Sequence, residues 1–309
     1  LPFKTLNLTK KLKTIFMKKI AFIAFFLLLF FNSEAQKPKY IFLFIGDGMG
    51  MVQVQLTDHY MRAVKRDSLT FTGFPVLGLQ TTHSADSRIT DSAAAGTALA
   101  SGHKTNSGSV GMAPNGRDTL RSLTYKAKEL GYKVGILTSV SIDHATPAAF
   151  YANARGRRSY HTIGMQLPES GFDFFAGGSF LDPVSFGGNV FEKLDEFGYL
   201  TISNPDSLNY ASEQGRKVIV LDPDKEFYYG IDREEGRFTL AGVTRAAIEN
   251  LYNPKGFFMM VEGGKIDWSS HDNDPGTTIY ETIEFEMSVR EALRFYELYP
   301  EETLIIVTA

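Results

Sequence analysis

The sequence predicts an α/β fold, a largely parallel central β-sheet flanked by helices on both faces. Two observations carry that expectation: continuous apolar runs of strand length recur along the chain, and helical patterns separate them. Residues 39–46 (KYIFLFIG), 133–139 (KVGILTS) and 256–262 (GFFMMVE) are such runs. A strand covered on both faces needs no polar alternation, so each reads as a buried parallel strand. Residues 303–309 (TLIIVTA) are again strand-like. Residues 120–130 have helical spacing and meet Gly131, a natural stop. Residues 239–252 look helical until Asn253-Pro254 halts them, and 278–299 form a long amphipathic pattern. The middle, about 155–236, is rich in glycine, phenylalanine and charge. It reads as insertions on one domain, with loops expected at 155–158 and 222–232.

The amino-terminal 35 residues stand apart. Met17-Lys18-Lys19 is a basic start, residues 20–31 are apolar, and Ser33-Glu34-Ala35 is a small-x-small pattern. That order describes a secretory signal peptide from Met17 to about Ala35. Its apolar run is too short to span a bilayer comfortably, which favours a cleaved signal over the alternative of an anchor. The expectation is therefore a periplasmic or extracellular protein with no stable membrane span after cleavage. Residues 1–16 read as leader, and 36–309 as a partial catalytic domain.

Composition bounds the chemistry. The formal net charge is −3, and the first 35 residues hold six lysines against one glutamate, so the body is more acidic still. That argues against nonspecific nucleic-acid binding. It leaves a phosphate substrate open, because metal ions and one arginine can reverse a local field. With no cysteine, thiolate sites are excluded. Any metal sits on Asp, Glu, His or hydroxyl ligands, and an exported chain without disulfides relies on its core or on bound metals.

Four segments at or near predicted strand ends carry chemistry. Gly46-Asp47-Gly48-Met49-Gly50 offers a carboxylate in a tight turn, which alone reads equally as a turn with an Asp cap. Thr90-Asp91-Ser92 precedes a run of small residues. Ser92 would lie at a helix N-terminus, where an anion is favoured, or Asp91 or Ser92 would simply cap that helix. His144-Ala145-Thr146-Pro147 with Arg157 downstream offers a hydroxyl for magnesium and a planar fork for phosphate, or a solvated basic loop. In Glu262-Gly263-Gly264-Lys265-Ile266-Asp267-Trp268-Ser269-Ser270-His271, a helix would put Asp267 and His271 on one face as a two-ligand zinc half-site, or as a cap and a surface histidine.

Together, in this order, the segments GDGMG, TDSAAAGTALASG-KT, HATPAAFYA…R and MVEGGKID…H closely resemble the alkaline phosphatase family over most of residues 40–309. The resemblance implies hydrolysis of small-molecule phosphate monoesters, with Ser92 as the nucleophile that becomes phosphoserine and Arg157 as the phosphate clamp. It implies two zinc ions and one magnesium, with cobalt as a possible replacement for zinc. Asp47 would bridge a zinc and the magnesium, Thr146 and Glu262 would complete the magnesium ligands, Asp267 and His271 would hold one zinc, and Ser92 would face the other. A homodimer is a further implication. Related chemistry on the same fold, a phosphodiesterase or sulfatase, and a non-catalytic metal- or phosphate-binding protein are the alternatives. His144 replaces the Asp of some members, and Trp268 a Lys or His. Both are expected beside the third metal, whose identity the resemblance leaves open. In the family, Asp-His follows a strand like TLIIVTA and a further His comes later. The chain as written is therefore expected to be inactive or nearly so, and the complete product active.

Overall fold

The structure is a computed structural model that describes residues 13, 16–19, 37–213 and 216–309. The expected apolar run and cleavage pattern at 20–35 lie outside the described residues, as do leader residues 1–12 and 14–15. No helix among the described residues is long and apolar enough to cross a membrane.

Strand β1, Tyr40–Gly46, explains why its sequence is apolar throughout. Phe42 and Phe44 enter one core, while Leu43 and Ile45 enter the other. Both faces are covered, so neither side chain set can be polar. The other strands of the sheet are β2 (Lys133–Ser141), β3 (Phe174–Gly178), β4 (Tyr199–Ile202), β5 (Lys217–Asp222), β6 (Phe257–Gly263) and β7 (Thr303–Thr308). They lie in the order β4-β5-β3-β2-β6-β1-β7, and every pair is parallel. The predicted sheet is thus present. On β7, Ile305 and Val307 pack on the core, while Leu304 and Ile306 remain exposed on this outermost strand.

The middle of the chain is not a set of insertions. It supplies β3, β4 and β5, one whole side of the sheet. Short, glycine-bearing strands such as FFAGG lack the length that marks β1 or β6.

The α-helices of seven or more residues among the described residues are α1 (Met51–Tyr60), α2 (Ser92–Ser101), α3 (Leu123–Glu129), α4 (Ala145–Tyr151), α5 (Tyr160–Gln166), α6 (Val190–Glu196), α7 (Leu240–Leu251), α8 (Lys265–His271) and α9 (Pro275–Leu298). Gly131, just beyond α3, takes φ +85°, the left-handed conformation expected of a helix-ending glycine. Thr239 caps α7 by accepting the Gly242 N–H. Helices α2 and α4 cover one face of the sheet with Ala93, Ala148 and Phe150. Helices α7 and α9 cover the other with Val243, Phe285, Val289 and Phe295.

An aromatic cluster closes the end of the sheet opposite the candidate site. The Phe295 ring lies 4.9 Å from Tyr40, 5.7 Å from Phe257 and 4.9 Å from Tyr299, centroid to centroid. Phe257 is fully buried at the start of β6. Phe257→Ala is expected to cost about 3–5 kcal/mol in denaturant unfolding, the range for deleting a buried ring. A loss under about 1 kcal/mol would show that the cluster does not hold β6 to α9.

Candidate active site

The carboxyl ends of β1, β2 and β6 are neighbours, and the turns leaving them carry the candidate residues. In an open parallel sheet this is the edge where ligands collect. The β1–β6 register sets Gly46 opposite Gly263, and the Asp47 N–H donates to the Gly263 carbonyl at 3.2 Å. Gly48 has φ +62°, and a Cβ there would stand 2.5 Å from Asp267 Oδ1. Glycine alone lets the Asp47 turn close against Asp267.

Ser92 is the first residue of α2. Its hydroxyl donates to Asp47 Oδ2 at 2.9 Å. Asp91 is the cap: its Oδ1 accepts the Ala94 and Gly108 N–H groups, each at 3.0 Å. The run of small residues after Ser92 also has a packing cause. A Cβ on Gly96 would lie 3.2 Å from Ala149 Cβ and 3.3 Å from Thr146 Cα. Close approach of α2 to α4 therefore fixes Ser92 relative to the helix that carries Thr146.

Arg155 and Arg158 are exposed, but Arg157 turns inward. Its Nη1 donates to Asp91 Oδ2 at 3.0 Å, and its Nη2 is 3.4 Å from His144 Nε2. Burial works against an ionised Asp91. The Gly108 and Ala94 amides and Arg157 outweigh it and hold that carboxyl below its ordinary range. His144 is buried, and burial, reinforced by Arg157, lowers its pKa to about 4. The ring is neutral near pH 7 and meets Trp268 edge-to-face, centroids 5.9 Å apart.

Asp267 and His271 do share a face of α8, with Nε2 and Oδ1 3.5 Å apart. Glu262 lies fully buried on β6. The Thr138 hydroxyl donates to its Oε2, while its Oε1 has no partner. An open cleft of about 820 Å³ is lined by Asp47, Ser92, Arg157, Asp267, Trp268 and His271, together with Lys104. Glu262, Thr146 and His144 are buried outside that lining.

The electrostatics test whether these residues fit a metal. Burial, then the Asp267 charge, pushes Asp47 up to about 6, with Ser92 and Arg157 pulling it back. Burial, then the Asp47 charge, pushes Glu262 up to about 8, with the Thr138 and Thr146 hydroxyls and Arg157 pulling it back. Carboxylates gathered at such a cost, one with an orphaned buried oxygen, form an oxygen donor set that fits a hard cation. The Asp267–His271 pair offers the O and N donors zinc accepts. Among the described residues, no three His, Asp or Glu side chains stand close enough to grip a single ion. The donors instead form pairs, with Asp47 against Ser92, and Asp267 against His271.

Sequence reasoning reads Asp91 only as a cap and misses its grip on Arg157. It also misses Thr138 and Ser139 at the end of β2. Their signal is position: polar residues closing a buried parallel strand point toward the site.

Comparison with known proteins gives a consistent family. The alkaline phosphatase family model matches residues 38–180 and 181–309. Alkaline phosphatase 4 of Bacillus subtilis is 33% identical over 288 residues, covering 87% of this chain and 60% of its own length. Alkaline phosphatase 3 of the same organism is 30% identical over 286 residues, with 88% and 60% covered. The chain thus spans about 60% of the length of these curated relatives. The structure of alkaline phosphatase from the Antarctic bacterium TAB5 superposes with a TM-score of 0.79 at 31% identity, covering 89% of this chain and 79% of that one. A point mutant of the TAB5 enzyme, with magnesium bound in its M3 site, also gives 0.79, at 30% identity with 89% and 78% covered.

Asp91 has two separable tasks, which substitution distinguishes. Asp91→Asn retains a capping oxygen and is expected to cost under about 1 kcal/mol. Asp91→Ala removes the cap as well and should cost about 1–2 kcal/mol in denaturant unfolding. Equal losses would mean that capping is not what Asp91 contributes to stability.

Proposed function

The chain belongs to the alkaline phosphatase family, and from that premise we propose that it acts in the hydrolysis of small-molecule phosphate monoesters through a phosphoserine at Ser92. The observation that carries this reading is the 2.9 Å contact between the Ser92 hydroxyl and Asp47. It joins a helix N-terminus to the carboxylate turn of β1 across the floor of an open cleft.

Each residue has a task in this reading. Asp47 accepts from the Ser92 hydroxyl and so orients its oxygen. The N-terminus of α2 favours the phosphate dianion beside Ser92. Arg157, steadied by Asp91, keeps further N–H donors for the phosphoryl oxygens as charge spreads over them. The serine oxygen attacks phosphorus, the alcohol leaves, and water then attacks the phosphoserine to release phosphate and restore the hydroxyl. Trp268 lines the cleft, and neutral His144 lies buried behind it against Arg157, so neither adds charge.

Asp47, Thr146 and Glu262 would hold magnesium. Asp267 and His271 would hold one zinc, and Asp47 with Ser92 would face a second. When bound, these ions lower the pKa of a hydroxyl or of water and offset phosphoryl charge. Magnesium in the TAB5 mutant supports it as one of the metals. Export by the segment from Met17 to about Ala35 belongs to the same proposal, supported by its basic, apolar, small-residue order.

The test is acid quenching of the full-length protein during turnover of 4-nitrophenyl phosphate, followed by mass spectrometry. The expected result is phosphate on the peptide containing Ser92, with kcat falling at least about a thousandfold in Ser92→Ala. Label on another residue, or a Ser92→Ala rate within tenfold of wild type, would refute the reading.

A further inference from the structure

The loop between β5 and α7 contains more anchors than a connection requires. A Cβ on Gly178, at the end of β3, would stand 2.1 Å from the Lys225 carbonyl oxygen, so this backbone lies directly on the sheet. The Phe227 N–H donates to the Ser139 carbonyl at 3.0 Å, and the buried Phe227 ring stacks on Phe238. Further on, the Gly230 N–H donates to the buried Glu281 of α9 at 2.7 Å. A Cβ on Gly230 would come within 2.9 Å of Glu284 Cγ. Arg233 then pairs with both oxygens of Glu284, at 2.7 and 2.6 Å.

Between these anchors the loop holds one buried cation. Lys265 is the first residue of α8 and is only 2% exposed. Its ammonium donates to the Phe227 carbonyl and lies 3.5 Å from the centroid of the Tyr229 ring. A buried ammonium needs such partners, because desolvation is otherwise uncompensated. Lys265 lies two residues before Asp267 and six before His271 on the same short helix. The preceding residue, Gly264, is fixed as well, its N–H donating to the Ser139 hydroxyl at 3.0 Å. Ser139 therefore ties both the loop, through its carbonyl, and the start of α8, through its hydroxyl, to the end of β2.

We propose that Lys265 is a positioning residue: through Phe227 and Tyr229 it locks α8 to the 225–233 strap, and so sets Asp267 and His271 for a divalent cation. Its effect on the cation rests on the metal-binding reading above. Outer contacts of this kind typically change metal affinity 10–100-fold when removed.

The chain has a single tryptophan, Trp268, which sits on α8 between the lock and His271 and reports its placement. The experiment compares wild type, Lys265→Met, Tyr229→Leu and Arg233→Met by amide hydrogen exchange, Trp268 emission and zinc titration. Lys265→Met and Tyr229→Leu should speed exchange about tenfold or more in both 226–233 and 265–271. They should also shift Trp268 emission to the red and weaken zinc at least about tenfold. Arg233→Met, which loosens only the far end of the strap, should speed exchange near 230–236 and leave α8 and zinc affinity as in wild type. If one variant fails to fold, the other tests the same lock. Unchanged exchange and emission in α8 would overturn the lock. Loosened α8 with unchanged zinc affinity would overturn its role toward the cation. Wild type that binds no zinc, with α8 still loosened in the variants, would leave the lock standing and refute the metal-binding reading.

Discussion

Burial of carboxylates brought to one place, with repulsion between them adding to it, is the constraint around which this site is organised. Asp47 leaves β1, Glu262 lies on β6 and Asp267 lies in the first turn of α8, so no local sequence preference unites them. The sheet forces them together through the β1–β6 register and through Gly48, where any side chain would strike Asp267. Asp47 and Glu262 are both pushed above their ordinary range, by burial first and by the neighbouring charge next. Arg157 offsets some of it. In the metal-binding reading proposed above, a multivalent cation would offset the cost of holding them ionised.

The rest of the molecule reads as support for that convergence. Two apolar cores clamp the central strands from both faces and hold their carboxyl ends in place. Close packing of α2 on α4 places Ser92 against Asp47. The Asp91–Arg157 pair turns one arginine of a basic loop inward while its neighbours stay in solvent. Behind the site, Ser139 and Lys265 brace the start of α8.

Much of this was legible in the residues. Runs such as YIFLFIG identify strands because both faces are covered, and the spacing of Asp267 and His271 predicts one helical face, which α8 provides. The middle of the chain misled because its strands are short and carry glycine, although KVIVLD has the apolar character of β1. The partnership of Asp91 with Arg157 spans 66 residues and leaves no periodic trace. Lys265 was equally opaque. A lysine in a motif gives no sign that it is buried, because the groups that compensate it lie on a loop nearly forty residues earlier. Sequence records local preference well and tertiary compensation poorly.

Thermal unfolding with and without divalent cations tests the central claim most directly. With chelator present, Asp47→Asn should melt above wild type, because it removes a buried charge that also faces Asp267. Magnesium and zinc should raise the melting temperature of wild type in a concentration-dependent way and have much less effect on Asp47→Asn. A wild type that melts at the same temperature with or without these ions, and no lower than Asp47→Asn, would contradict the account.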